Sequence, residues 1–152
     1  MNIGDKLANF TTQTHDYKTV TQDNFQKGKF VFYFYPKDNT PGCTQESCDF
    51  RDNMASLKKM GVEVVGISKD SPEKHVNFMD KYQLPFTLLS DESGEMCEVF
   101  GVFKEKSMFG KTFLGIERTT FYIVDGTIKH VWRKVSVQTH VQDVVQIVNN
   151  LN

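Results

Sequence analysis

Cys43 and Cys48 stand five residues apart in the run YFYPKDNTPGCTQESCDFRD, and thiols placed so close together can do nucleophilic or redox chemistry. Thr40 is a good helix N-cap and Pro41 suits a first helical position, which makes Cys43 the third residue of the helix. There the backbone N–H groups have no helical acceptor and the helix dipole presents its positive end. Both favour a thiolate over a thiol. Ionisation alone raises the thiolate fraction of a cysteine at neutral pH by only about tens of fold, and a more acidic thiol is also a weaker nucleophile. Such a site must therefore also orient its electrophile and stabilise a departing oxyanion. The Thr40 hydroxyl and the N–H groups of the first helical turn are available for this. Pro36, which ends the preceding apolar run, is placed to shield the sulfur from bulk water. A cation is still wanted, and local sequence does not name it.

Other readings of the cysteines remain open on spacing alone. Free cysteines are often buried, inert fillers. Four residues between Cys43 and Cys48 is within the range for zinc ligands. The remaining ligands are harder to find, because Cys97 stands alone and His15, His75, His130 and His140 are scattered. An iron–sulfur centre lacks a fourth cysteine, and the Cys-x-x-Cys of dithiol exchange is absent. Cys97 falls at helical spacing from Phe100 and reads as core. Glu46, taken by itself, favours a helix N-terminus.

The same run resembles peroxiredoxins of the bacterioferritin comigratory protein, or peroxiredoxin Q, type. The resemblance continues through Gly101–Val102, Lys106, Gly110-Lys111 and GIERTTFYIV (Gly115–Val124), so it covers nearly the whole chain. It implies a thioredoxin-like fold and a thioredoxin-dependent peroxidase acting on hydrogen peroxide and organic hydroperoxides. Pro36, Thr40 and Cys43 meet the family pattern Pro-x-x-x-Thr-x-x-Cys, with Cys43 as the peroxide-attacking cysteine. The resemblance further implies that Arg118 is the missing cation, that Glu46 helps to position it, and that Cys48 is the resolving cysteine. Thioredoxin or a similar dithiol would be the reductant, no cofactor or metal would be needed, and a monomer is the expected state. A different class of function uses the same residues: a non-enzymatic redox switch in which the cysteine pair unfolds a helix. In an intact helix, residues five apart have Cα atoms about 8–9 Å apart and point about 140° away from each other. A disulfide needs about 4.4–6.8 Å. A Cys43–Cys48 bridge therefore demands local unwinding, with Pro41-Gly42 as the expected hinge.

Elements that must position these residues are readable around them. Lys29–Tyr35 is an apolar, β-prone run ending at Pro36 and reads as a buried strand. The helix after Thr40 carries Cys43, Phe50, Met54 and Leu57 on one stripe and is predicted to end at Gly61. Glu63–Ser68 reads as a second strand and Ser71-Pro72-Glu73 as the start of a helix to Tyr82. Pro85–Leu89 reads as a short strand and Glu95–Phe100 as a short helix. Asp125-Gly126 between two β-prone runs signals a hairpin, and Val141, Val144, Val145, Val148 and Leu151 mark a last helix. Lys104–Lys111, with Met108 and Phe109 among charges, reads as a loop that covers a sheet edge or, as the less favoured reading, lines an entrance for an organic hydroperoxide. The expected fold is α/β, a central mixed sheet flanked by helices, in one domain over residues 1–152.

Composition narrows the partners. With 18 basic and 19 acidic side chains there is no strong field to recruit nucleic acid or an anionic membrane. No stretch approaches the roughly 20 apolar residues of a membrane span. The first residues lack the pattern of a secretory signal, and the odd number of cysteines argues against a disulfide framework. The expectation is a cytoplasmic protein.

Overall fold

The computed structural model describes residues 1–152. Strands Thr11–Thr14 (β1) and Thr19–Thr21 (β2) open the chain and are followed by Lys29–Phe34 (β3). Helices Pro41–Asp52 (α1) and Met54–Lys59 (α2) lead to Val62–Ser68 (β4). Pro72–Tyr82 (α3), Thr87–Ser90 (β5) and Glu95–Val99 (α4) follow. Phe103–Met108 (β6) and Lys111–Ile116 (β7) form a separate hairpin, and Thr119–Val124 (β8), Thr127–Trp132 (β9) and His140–Asn150 (α5) complete the chain. The mixed sheet runs β2-β1-β5-β4-β3-β8-β9, with β3, β4 and β5 parallel and the other pairings antiparallel.

Alternation along β3 divides its side chains between two cores. Phe30, Phe32 and Phe34 pack with Phe100, Phe121 and the α4 residues Met96 and Cys97. Val31 and Tyr33, with Tyr35 just beyond the strand, pack under α1, α3 and α5 with Phe50, Phe78, Val141 and Val144. A strand buried on both faces explains the continuous apolar run in its sequence. The expected mixed α/β sheet is therefore present. No helix is long and apolar enough to cross a membrane.

Three expectations change. The single helix running to Gly61 is two helices, broken at Asn53 (φ −106°, ψ 8°). The Asn53 side-chain amide donates to the Asp49 carbonyl at 2.8 Å, offering that backbone group an alternative partner to the helix ladder. Residues 104–111 are not a loop over a sheet edge. They belong to the β6–β7 hairpin, which pairs only with itself and turns through Phe109 and Gly110, both at positive φ. Strands β1 and β2 at the start of the chain were not expected at all. Their Thr-rich segments lack a continuous apolar run.

Candidate active site

α1 starts at Pro41, so Cys43 is its third residue and is 1% exposed. Thr40 occupies the N-cap position in extended conformation, and its carbonyl accepts the first helical bond from the Thr44 N–H at 2.8 Å. The side-chain capping bond expected of Thr40 is not made. Asn39 sits at φ 60°, and this left-handed turn brings the Lys37 carbonyl to the Thr40 hydroxyl, which donates to it at 2.8 Å. The oxygen keeps its lone pairs, so it can still accept a hydrogen bond.

The cation comes from across the sheet. β8 pairs antiparallel with β3, Thr119 opposite Phe34, and this places Arg118 beside the end of β3 and the start of α1. Arg118 Nη2 donates to Cys43 Sγ at 3.3 Å, and Nη1 donates to Glu46 Oε1 at 2.7 Å. Both are charge-assisted through the guanidinium. The guanidinium lies over Gly42, where a Cβ would come within 3.1 Å of Nη2. Gly42 is therefore required by close approach as well as being available as a hinge. Burial opposes the charge on Arg118, but Glu46 and Cys43 outweigh it and raise the group's hold on its proton.

Glu46 is wholly buried. Burial pushes its carboxyl up to about 7; Arg118 pulls it down and Asp49 adds to the rise. Its second oxygen, Oε2, has no hydrogen-bond partner and lies 3.7 Å from Nε2 of His140, the first residue of α5. His140 Nε2 is in turn 2.8 Å from the Thr120 hydroxyl. Burial lowers His140 to about 4, against the pull of Asp143 and with help from Arg118.

The depressed His140 has a measurable consequence. The unfolded chain binds a proton at this position below its ordinary value of 6.5, while the folded chain does not until about 4. Stability held at neutral pH is therefore lost as pH falls through that window. His140→Gln removes the effect. Relative to the variant, the wild type is expected to lose about 2 kcal/mol between about pH 8 and about pH 5, read from denaturant melts. A difference that is constant with pH would contradict the assignment.

The loop joining β3 to α1 is anchored from below. Asp38 accepts from the Tyr35 hydroxyl at 2.6 Å, and its other oxygen is 2.6 Å from His75 Nδ1. The Asp38 N–H donates to Asp70 Oδ2 at 2.8 Å, and His75 Nε2 is 2.9 Å from the Leu89 carbonyl. Asp38, Asp70 and His75 converge closely enough to hold a metal ion. Their polar atoms, however, are engaged with one another and with Tyr35, Ser68 and Leu89, which makes the cluster a brace for the loop. Pro36 lines a groove of about 440 Å³ with Phe103, Met108, Phe113, Leu114 and Ile116 of the hairpin. Cys48 lies on the same intact α1 as Cys43, and both are free thiols. Burial, with Asp52 and Asp49, raises the Cys48 thiol against the pull of Arg51. Cys97 is fully buried, and burial followed by Asp91 pushes its thiol far up, so it stays protonated and packed.

Of the residues expected from sequence, Cys43, Arg118 and Glu46 are brought into direct contact. Thr40 and Pro36 flank them on the loop. Cys48 stays one and a half turns away along α1. Sequence reasoning missed His140, Asp38 and His75. For His140 a signal existed: a histidine directly before the apolar stripe of the last helix, on its buried side.

The AhpC/TSA family matches residues 3–131. The putative peroxiredoxin Bcp of Coxiella burnetii is 50% identical over 146 residues, covering 95% of this chain and 97% of that one. Among solved structures, a cysteine-to-serine variant of Xylella fastidiosa PrxQ is 35% identical with TM-score 0.92, covering 99% and 96% of the two chains. The bacterioferritin comigratory protein of Xanthomonas campestris is 38% identical with TM-score 0.87, covering 93% and 90%.

Proposed function

Because the chain belongs to the AhpC/TSA family and is a thiol-dependent peroxidase of the peroxiredoxin Q type, we propose that Cys43 is its peroxide-attacking residue and Cys48 its resolving residue. The observation that carries this assignment is the Arg118 guanidinium, bonded at once to Cys43 Sγ and to Glu46. A cation so placed favours sulfur as an anion. It is also positioned to receive the charge that moves onto the departing oxygen.

Cys43 thiolate attacks the terminal peroxide oxygen; the S–O bond forms as the O–O bond breaks. Sulfur is oxidised to sulfenic acid, and the leaving hydroxide or alkoxide takes a proton to become water or alcohol. Cys48 thiol then displaces water from the sulfenic acid, and the disulfide is reduced by an external thioredoxin-like dithiol. Thr40 Oγ1 and the N–H groups of the first turn of α1 orient the peroxide, and Pro36 limits water at the sulfur. A sulfur in a residue only 1% exposed suits a small electrophile. The Xanthomonas campestris relative is described for its alkyl peroxide reduction activity; organic hydroperoxides join hydrogen peroxide as proposed substrates here, with the apolar groove at Pro36 nearby. Both thiols lie in one helix, so a monomer can complete the cycle. An odd number of cysteines, two of them assigned to a redox cycle, fits a reducing cytoplasm.

The disulfide cannot form on the intact helix, so the start of α1 must unwind each cycle. One equivalent of peroxide is expected to yield a Cys43–Cys48 bridge and an unmodified Cys97, read by mass spectrometry, together with a loss of helical circular dichroism. Cys48→Ser is expected to oxidise at Cys43 at the wild-type rate and stop there as sulfenic acid, trappable with dimedone. A bridge that includes Cys97 would overturn the assignment of Cys48.

A further inference from the structure

Glu46 Oε2 is a buried oxygen without a hydrogen-bond partner, in a helix whose other features are well matched to their surroundings. Such a group is most costly as part of an anion and still costly as an O–H with nothing to receive it. The nitrogen that faces it is His140 Nε2 at 3.7 Å. The ring is fixed edge-on against Phe50 (6.1 Å, 88°) and Trp132 (6.1 Å, 81°), so its nitrogen is held in this direction.

We propose that His140 is a positioning residue of the peroxidase site: as a neutral imidazole it accepts a hydrogen bond from Glu46 Oε2–H, so that Glu46 presents Oε1 to Arg118 as an uncharged acid and leaves the guanidinium charge to the sulfur and the peroxide oxygens. The inference rests on the roles given above to Cys43 and Arg118 and adds a residue and a protonation state to them.

Charge counting favours this state. The titratable and charged groups facing the pair are Cys43 and Asp49 from α1, Tyr33 from β3, Arg118 before β8, and Asp143 from α5. With thiolate and guanidinium both present, an ionised Glu46 adds a second anion that competes with sulfur for one cation. A neutral Glu46 removes that competition and keeps the 2.7 Å bond, since a carboxylic acid carbonyl still accepts from Nη1. His140 is suited to be acceptor rather than cation. It is buried, it faces Arg118, and it begins α5, where the helix dipole disfavours positive charge. Burial that raises Glu46 to about 7 and lowers His140 to about 4 points the same way. The Thr120 hydroxyl can rotate to donate to Nε2 when Glu46 is ionised and turn aside when Oε2–H arrives. Closing the 3.7 Å gap takes a side-chain shift of about 1 Å.

The test is the pH profile of Cys43 oxidation by hydrogen peroxide in single-turnover stopped flow, for the full-length reduced protein. The wild-type rate constant is expected to turn downward above about pH 7 as Glu46 loses its proton. Glu46→Gln, which carries an uncharged amide in place of the acid, is expected to lose that alkaline decline. His140→Phe removes the acceptor and should move the decline at least about one pH unit lower, with a rate about tenfold below wild type at neutral pH. His140→Gln returns a polar acceptor and should recover most of that loss. An independent reading is the C=O stretch of a buried protonated carboxylic acid in infrared difference spectra, expected in wild type near pH 6 and absent in Glu46→Gln. The inference fails if Glu46→Gln keeps the alkaline decline, if His140→Phe matches wild type at every pH, or if the infrared band is missing. Those results would leave the roles of Cys43 and Arg118 intact. Loss of those roles would show instead as Cys43→Ser protein that still consumes peroxide, or as Arg118→Ala protein that oxidises at the wild-type rate.

Discussion

Replacing Cys43 by serine is expected to remove peroxide reduction down to the uncatalysed background, a loss on the order of 10⁴-fold or more in kcat/KM. The substitution is close to isosteric, and the residue is 1% exposed between Gly42 and the Arg118 guanidinium, so the fold should tolerate it. A serine hydroxyl in this position can still accept from Arg118 Nη2, which keeps the loop and the hydrogen bond from Arg118 to Glu46 in place. What is lost is the chemistry: an alcohol neither ionises near neutral pH nor accepts an oxygen atom to become a sulfenic acid. Cys48 cannot substitute. Its thiol is raised by burial and by Asp52 and Asp49, and no guanidinium donor is bonded to it. The measurement is peroxide consumption under excess dithiol, with thermal melting as the check on folding. Turnover persisting in the serine variant would move the reacting sulfur elsewhere in the chain.

How much of this could be read from sequence depends on the range of the forces involved. Cys43 was legible because its setting is local: an N-cap, a proline and a glycine within three residues fix the start of α1. The buried strand β3 was legible for the same reason, since a run of apolar residues needs no partner to be recognised. Glu46 looked like an ordinary acid near a helix N-terminus, and its complete burial is invisible from α1 alone. The partners that make burial tolerable, Arg118 and His140, arrive from just before β8 and from α5, 72 and 94 residues away in sequence. Arg118 entered the reading only through family resemblance, because a lone arginine before a strand reads as surface. The brace of Asp38 and His75 escaped for the same non-local reason. The β6–β7 hairpin escaped for a different one. It stands off the main sheet with Met108, Phe109 and Leu114 exposed, so its residues show no alternation between a buried and a wet face. The break at Asn53 turns on one amide, which propensity treats as a mild helix disfavour rather than a stop.

Arg118→Ala is expected to slow Cys43 oxidation about 10²–10³-fold, the usual effect of removing a preorganised donor at developing negative charge. The loss has two parts that act together. The sulfur loses the cation 3.3 Å away that favours its anionic form, and the leaving oxygen loses the same cation when charge reaches it. Stability should change far less than rate. Glu46 would lose its 2.7 Å partner, but its carboxyl already sits at about 7 and would take up a proton rather than remain a lone buried anion. Arg118→Lys should recover only a small part of the rate. A lysine offers one charged nitrogen, and the site uses two guanidinium nitrogens pointing at different acceptors, Sγ and Oε1. Reduction of the Cys43–Cys48 disulfide by dithiothreitol provides the contrast, because that step proceeds on an unwound α1 with the guanidinium no longer bonded to sulfur. Oxidation slowed by two orders of magnitude with reduction unchanged would place Arg118 in peroxide chemistry. An equal slowing of both steps would instead make it a structural clamp on the loop, and Cys43 would lose the cation that marks it as the reacting sulfur.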